Sequence, residues 1–267
     1  GIGKVVNAIC EDEKGIFWIG TDDNGIHMYD AVSGDVKPFR TAADINSTYY
    51  CVHSLLVDNG KLFAATYERG LEVYDMKTKK MKSYLHDPND SNSISSSRVF
   101  TLFKSSNGRI YIGTANGLCY YSREKDNFVH LKPEFRVASI VEDAHNNLWI
   151  ATKDNGLYYY NIKNNEYKYY SFDINDNKSL IRNALLTLSY DSKGRLWVGS
   201  DGYGLCRYDE EADSFIRYDK LDLPNDIISK IIPDGDLLWI STNKGLVRWD
   251  VDNNQTKTYS KSSGLYN

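Results

Sequence analysis

Nearly unbroken apolar runs recur along the chain: VVNAICED, CVHSLLVD, VFTLFKSS, VASIVEDA, LLTLSYDS and IISKIIPD. Each runs into a stretch of Asp, Asn and Gly: DEKG (12 to 15), DNG (58 to 60), SSNG (105 to 108), DAHNN (143 to 147), DSKG (191 to 194) and PDGD (233 to 236). A short apolar run closed by such residues predicts a strand buried on both faces and then a hairpin, because Asp and Asn cap the turn while Gly accepts positive φ. The next segment carries aromatic and β-branched residues, as in Phe17-Trp18-Ile19 or Trp197-Val198, and ends on small ones, as in Gly20-Thr21 or Gly199-Ser200. Small residues there would let neighbouring backbones approach closely. A Gly then opens a third strand, GIHMYD or GLYYYN. A fourth, more polar strand follows: DVKPFR, KMKSYL, NFVHLK, EYKYYSF, SFIRYD and QTKTYS. The gradient predicts the most apolar strand innermost and the most polar outermost.

The second-to-third-strand phrase appears six times: FWIGTDDNGIHMYD, LFAATYERGLEVYD, IYIGTANGLCYYS, LWIATKDNGLYYYN, LWVGSDGYGLCRYD and LWISTNKGLVRWD. Its glycines, Gly25, Gly70, Gly117, Gly156, Gly204 and Gly245, are 45, 47, 39, 48 and 41 residues apart. Four antiparallel strands every ~44 residues match an all-β fold, the blades of a β-propeller. A parallel β-helix needs shorter coils, and helical repeats need amphipathic segments that are missing. The predicted blades span residues 5 to 46, 51 to 95, 98 to 134, 136 to 181, 184 to 224 and 227 to 260, one propeller domain or fragment over residues 1 to 267.

Composition agrees with a folded protein, at 41% hydrophobic and 25% charged residues. A net charge of −4 with dispersed basic residues argues against a nucleic-acid groove, which requires clustered Lys and Arg. No stretch approaches a membrane span of about 18 apolar residues, and GIGKVVNAICEDEKG lacks the apolar core of a signal peptide. The expectation is a piece of a longer protein whose targeting signal lies elsewhere. Cys10, Cys51, Cys119 and Cys206 fall in different repeats without CxxC spacing, so packed free thiols are expected. A Cys10–Cys51 bridge between neighbouring repeats is the alternative, which an oxidising compartment would permit.

The repeat LWIGT-x-x-x-GL-x-x-YD, preceded by a D-x-x-G turn, resembles the two-component regulator propeller repeat, and the likeness covers essentially the whole chain. HDPNDSNSIS (86 to 95) and FDINDNKSLI (172 to 181) share a D-x-N-D-x-x-S-[IL] linker pattern that strengthens it, and LDLPNDII (221 to 228) is similar to a shorter linker. LFAAT in the second repeat and the shortened IYIGTANG in the third depart from it. The resemblance implies the extracytoplasmic, periplasmic sensor region of a hybrid histidine kinase from polysaccharide-degrading gut bacteria. It also implies an oligosaccharide ligand, a neighbouring propeller and an immunoglobulin-like domain in the same chain, and a homodimeric receptor. Such propellers have seven blades; six are visible here, and a six-bladed form, open or closed, stands beside a seven-bladed one with its last blade elsewhere.

Candidate chemistry is thin. His27, His53, His86, His130 and His145 are scattered without metal-ligand spacing, so no catalytic residue, metal or cofactor is expected. SYDSKGRLW (189 to 197) resembles a sialidase Asp-box but is one residue too long and recurs as a blade turn. Asp87, Asn89 and Asp90, with Asp173, Asn175 and Asp176, read as self-capped turns in preference to weak Ca²⁺ loops. The sharper reading is a ligand site where the loops leading into the inner strands meet the second-to-third-strand loops. There Arg98 and Arg136 take equivalent positions in blades three and four, Arg182 lies in the next lead-in loop, and Tyr67, Glu68, Arg69, Lys153, Asp154, Asn155 and Tyr203 sit alongside. Guanidinium groups bind carboxylate or sulfate and Tyr rings stack on sugar faces, so the set suits an acidic oligosaccharide. Solvated loops or contacts between propellers are the plainer reading of any one of these residues.

Overall fold

The computed structural model describes residues 5–39 and 51–264. It holds six four-stranded antiparallel sheets of propeller type, each ordered as in the sequence. They fall into two compact units, Gly1–Glu134 and Phe135–Asn267, of three blades each. In the first unit the blades are β1 Val6–Glu11, β2 Ile16–Thr21, β3 Ile26–Asp30 and β4 Val36–Phe39; β5 Val52–Asp58, β6 Lys61–Thr66, β7 Leu71–Asp75 and β8 Lys80–Tyr84; and β9 Val99–Lys104, β10 Ile110–Thr114, β11 Gly117–Ser122 and β12 Asn127–Leu131. In the second they are β13 Val137–Glu142, β14 Leu148–Thr152, β15 Leu157–Asn161 and β16 Glu166–Tyr170; β17 Leu185–Tyr190, β18 Leu196–Ser200, β19 Leu205–Asp209 and β20 Ser214–Arg217; and β21 Ile228–Asp234, β22 Leu237–Thr242, β23 Gly245–Asp250 and β24 Gln255–Tyr259. A 3₁₀ turn, Lys261–Ser263, follows.

The repeated residues form the sheets by side-chain capping. In the first hairpin of blade five, Asp191 Oδ1 accepts the amides of Lys193 and Arg195, both at 3.0 Å, and Oδ2 accepts Trp197 Nε1 at 2.9 Å. Asp12 does the same for Lys14, Ile16 and Trp18. The turn is therefore tied to the indole that fills the core, which is why Asp and Trp recur together. The Asp-box look-alike is this structural turn.

At the far end of the second strand a buried hydroxyl closes the next turn. Thr21, Thr66, Thr152 and Ser200 donate to the carbonyls of Gly25, Gly70, Gly156 and Gly204 at 2.7–2.9 Å. The glycines are required there: Gly70 and Gly156 have φ of 72° and 70°, and an added Cβ would lie 2.0 and 2.4 Å from the carbonyl oxygens of Tyr84 and Tyr170. The small residue one place before the hydroxyl admits the following blade. A Cβ on Gly20 would meet Val52 at 2.7 Å, and one on Gly199 would meet Ile228 at the same distance.

Burial corrects one expectation. Three second strands, β10, β14 and β18, are buried throughout, whereas β5 and β9 are buried only at every third residue and β1 is largely exposed. The first strand is a sheet edge paired on one side only, while the second is flanked on both, so inner does not mean most enclosed. Outer strands such as β8, β16 and β24 are mostly exposed, as their polarity predicts. Core clusters form between successive blades inside each unit. Phe63, Leu71, Ile94, Val99 and Ile112 join blades two and three; Trp149, Leu180, Leu185, Val198 and Phe215 join blades four and five.

Candidate functional site

One end of every blade, called here the upper face, carries the lead-in residue of the inner strand and the second-to-third-strand loop. A backbone bond ties the two. Tyr67 N donates to Cys51 O at 3.1 Å, Ala115 N to Arg98 O at 2.9 Å, Lys153 N to Arg136 O at 2.9 Å, and Asp201 N to Ala184 O at 3.0 Å. Arg98 and Arg136 thus occupy equivalent positions, and both side chains are exposed. Two residues further on, each inner strand has a one-residue bulge in its pairing with the second strand, at Asn7, His53, Phe100, Ala138, Leu186 and Ser229. Bulges re-aim side chains at strand ends. The bulge residues were not among the expected site residues, because a bulge is a property of pairing that a single strand does not show. Their one signal in the sequence is variability just after a constant apolar residue, Val, Leu or Ile.

In the first unit the bulges gather an aromatic group. The His53 ring lies 5.0 Å from Phe100 and 6.1 Å from Tyr67, and Tyr67 and Phe100 are 6.5 Å apart. Tyr67 is 37% exposed. Cys51 donates its thiol hydrogen to Asp22 Oδ1 at 3.2 Å and lies 3.7 Å from His53 Nε2. Arg69 pairs with the buried carboxylate of Glu72 at 2.8 Å, so its charge serves the fold. Glu68 takes a φ of 70° in the same turn.

In the second unit Arg182 lies between two rings, its guanidinium carbon 4.0 Å from the Phe172 centroid and 3.9 Å from that of Tyr203. Its Nη1 donates to Ile181 O at 3.1 Å. Tyr203 is 51% exposed. Lys153 Nζ pairs with Asp201 Oδ2 at 2.5 Å; Asn155 Nδ2 donates to Tyr158 OH at 2.5 Å; Asp154 is exposed. Among the expected residues, then, the structure brings together Arg182 and Tyr203 in direct contact, and Arg136 and Lys153 through the backbone. It ties Arg69 and Lys153 to carboxylates.

The remaining candidate chemistry has structural partners. Asp87 and Asp173 accept the amides of Asn89 and Asn175, and Asp90 and Asp176 those of Asn92 and Lys178, all at 2.8–2.9 Å, so both linkers are self-capped turns. Among the described residues no three His, Cys, Asp or Glu side chains are grouped to hold a metal. All four cysteines are free thiols. Burial pushes Cys10 and Cys206 up to about 12 and Cys119 to about 11, far from nucleophilic thiolates.

At the outer edge between blades two and three, Asp126 accepts bonds from Tyr84, Tyr121 and Lys82; between blades four and five, Asp213 accepts them from Tyr170, Tyr208 and Lys168. Burial raises each aspartate, but the bonds from lysine and the two tyrosines outweigh it and hold both at about 2. These are inter-blade clasps repeated in both units.

Comparison with known proteins bears out the repeat. Residues 1–23 and 93–116 match the family described as two component regulator propeller. A 92-residue stretch is 36% identical to a histidine kinase of Formosa agariphila, covering 28% of this chain and 6% of that protein. The extracellular domain assigned to a hybrid two-component system of B. thetaiotaomicron superposes with a TM-score of 0.78 at 18% identity, over 97% of this chain and 36% of that one. A virginiamycin B lyase from Staphylococcus aureus superposes at 0.72 with 14% identity, over 96% of this chain and 84% of that one. At these identities the structural likeness speaks to the fold, which proteins of different function share.

Proposed function

We propose that this chain, built of two-component regulator propeller repeats, is part of the extracytoplasmic sensor of a hybrid histidine kinase, lies in the periplasm, and binds an oligosaccharide without turning it over. The observation that carries the reading is the division of labour in each blade. The turn hydroxyl and Gly repeat as scaffold in all six blades, and the turn Asp and following Trp in four of them, while the upper face of each blade carries residues that differ: Tyr67 with His53 and Phe100, and Arg98, in the first unit, and Arg136, and Arg182 with Tyr203, in the second. Aromatic and cationic groups at loop ends suit an acidic sugar. Ligand shifts the receptor only by its differential affinity for two arrangements, and that bias would pass to the kinase and on to polysaccharide-utilisation genes.

The test is calorimetric titration of the complete extracytoplasmic region with neutral, uronic-acid and sulfated oligosaccharides, repeated with Arg98→Ala and Arg136→Ala. Binding of one class without product formation, weakened by either substitution, is the expected result. Binding untouched by both leaves the sensor and removes these two arginines from its site.

A second reading, a scaffold contacting a neighbouring propeller or protomer, draws on exposed apolar residues of the first strand and its approach: Val5 at 52%, Val6 at 47% and Ile9 at 61%. Ile9→Asp would disrupt such an assembly in analytical ultracentrifugation and leave sugar binding unchanged.

A further inference from the structure

Within the sensor reading, on which this inference rests, the arginines of the upper face are not equal. Arg98 and Arg136 are exposed side chains. Arg182 is held in place: Ile181 before it is buried in the core, Asn183 after it accepts Phe172 N at 2.7 Å through Oδ1 and Gly156 N at 2.9 Å through its carbonyl, and its own guanidinium is stacked on Phe172 and Tyr203. With Nη1 spent on Ile181 O, the Nε–Nη2 edge has no partner among the described residues. The acid in the adjoining loop, Asp201, does not take it, because Lys153 already pairs with Asp201. The half-exposed Tyr203 ring extends the stack outward.

We propose that the Phe172–Arg182–Tyr203 stack is a carboxylate receptor, and that it makes the protein selective for a uronic-acid sugar over neutral and sulfated ones. Two rings flank the guanidinium plane, so a partner must approach in that plane. A planar carboxylate placed there accepts two parallel N–H bonds, one from Nε and one from Nη2, whereas a tetrahedral sulfate ester projects oxygens out of the plane toward the flanking rings. Because the guanidinium is held before the ligand arrives, little side-chain entropy is lost on binding.

The experiment is a titration of the full-length protein with digalacturonate and other hexuronate disaccharides, their neutral and sulfated counterparts, and a short acidic peptide as a non-sugar carboxylate. It is run on the natural protein, Arg182→Lys and Tyr203→Ala, with thermal melting as a check of folding. Arg182→Lys keeps the charge and removes the edge. The expected result is a uronate-specific signal that weakens about tenfold or more in Arg182→Lys and also in Tyr203→Ala, with melting unchanged. Equal affinity of Arg182→Lys, or preference for a neutral or sulfated sugar, overturns the receptor and leaves the sensor standing. Binding of the peptide but no sugar, or no binding at all, overturns both. Should Tyr203→Ala melt early, the Arg182→Lys comparison alone decides.

Discussion

The linkers into the third and fifth blades, residues 86–98 and 172–184, follow the same course and end differently. Both cap themselves with two aspartates, both turn on a serine that bonds Asp87 N or Asp173 N at 2.9 and 2.8 Å, and both sink an apolar residue, Ile94 or Leu180, fully into the core. A fourth-strand side chain locks each one, His130 Nε2 with Ser93 O at 2.7 Å and Arg217 Nε with Ser179 O at 3.2 Å. The Gly of the preceding loop then donates to Ser97 O or Asn183 O. Past the anchor they diverge. Ser95 and Ser96 turn inward, Ser95 meeting Thr114 Oγ1 at 3.0 Å, and the arginine comes last, exposed. In the other linker Ile181 fills the core and the arginine comes two positions earlier, stacked between rings. A common scaffold therefore fixes where the chain runs, and four residues beyond the anchor decide what it offers the solvent.

The strongest break would come at the anchors. Ile94→Ala and Leu180→Ala should each cost about 2–5 kcal/mol in urea unfolding, and by similar amounts, since both side chains are fully enclosed. A large disparity would show that the two scaffolds are not equivalent. Glycines sharpen the point at smaller scale. Gly156→Ala must both hold a positive φ and displace Tyr170 O, at about 1–3 kcal/mol, whereas Gly204→Ala has the same φ sign with nothing within 4 Å and should cost only about 1 kcal/mol. Equal losses would mean that backbone conformation alone demands the recurrent Gly.

The smallest effect is acid-dependent. Asp126 and Asp213 sit at about 2, below the roughly 3.9 of an unfolded aspartate, so their clasps contribute fully above about pH 4 and are lost as pH falls through about 2. Both carboxylates are about half exposed, so each contributes under about 1 kcal/mol after solvent screening. Stability of the Asp126→Asn/Asp213→Asn variant should fall less steeply than that of the natural protein between pH 4 and 2; parallel curves would contradict the clasp.

The fold was legible because its determinants repeat: a hydroxyl and a Gly three or four residues on return in all six repeats, and the turn Asp and Trp in four, so six weak patterns reinforce one another. The equivalence of Arg98 and Arg136 was legible for the same reason. What was not legible depends on pairing across the sheet. The bulges at His53 and Phe100, the enclosure of second strands above first ones, and the use of Arg69 and Lys153 as counter-ions to Glu72 and Asp201 all arise from partners distant in the chain or set by the turn. In the sequence Phe172 is only part of a linker, because nothing in its neighbourhood announces that it will floor Arg182.

Hydrogen–deuterium exchange of the complete extracytoplasmic region, with and without the tightest-binding oligosaccharide of the panel, tests the division between scaffold and display most directly. The account predicts new protection in upper-face segments, 67–70, 96–98, 134–136, 153–156, 182–184 or 201–204, and none in the Asp-capped turns at 12–15 and 191–194. Protection confined to those capped turns or to the exposed first strand would contradict it.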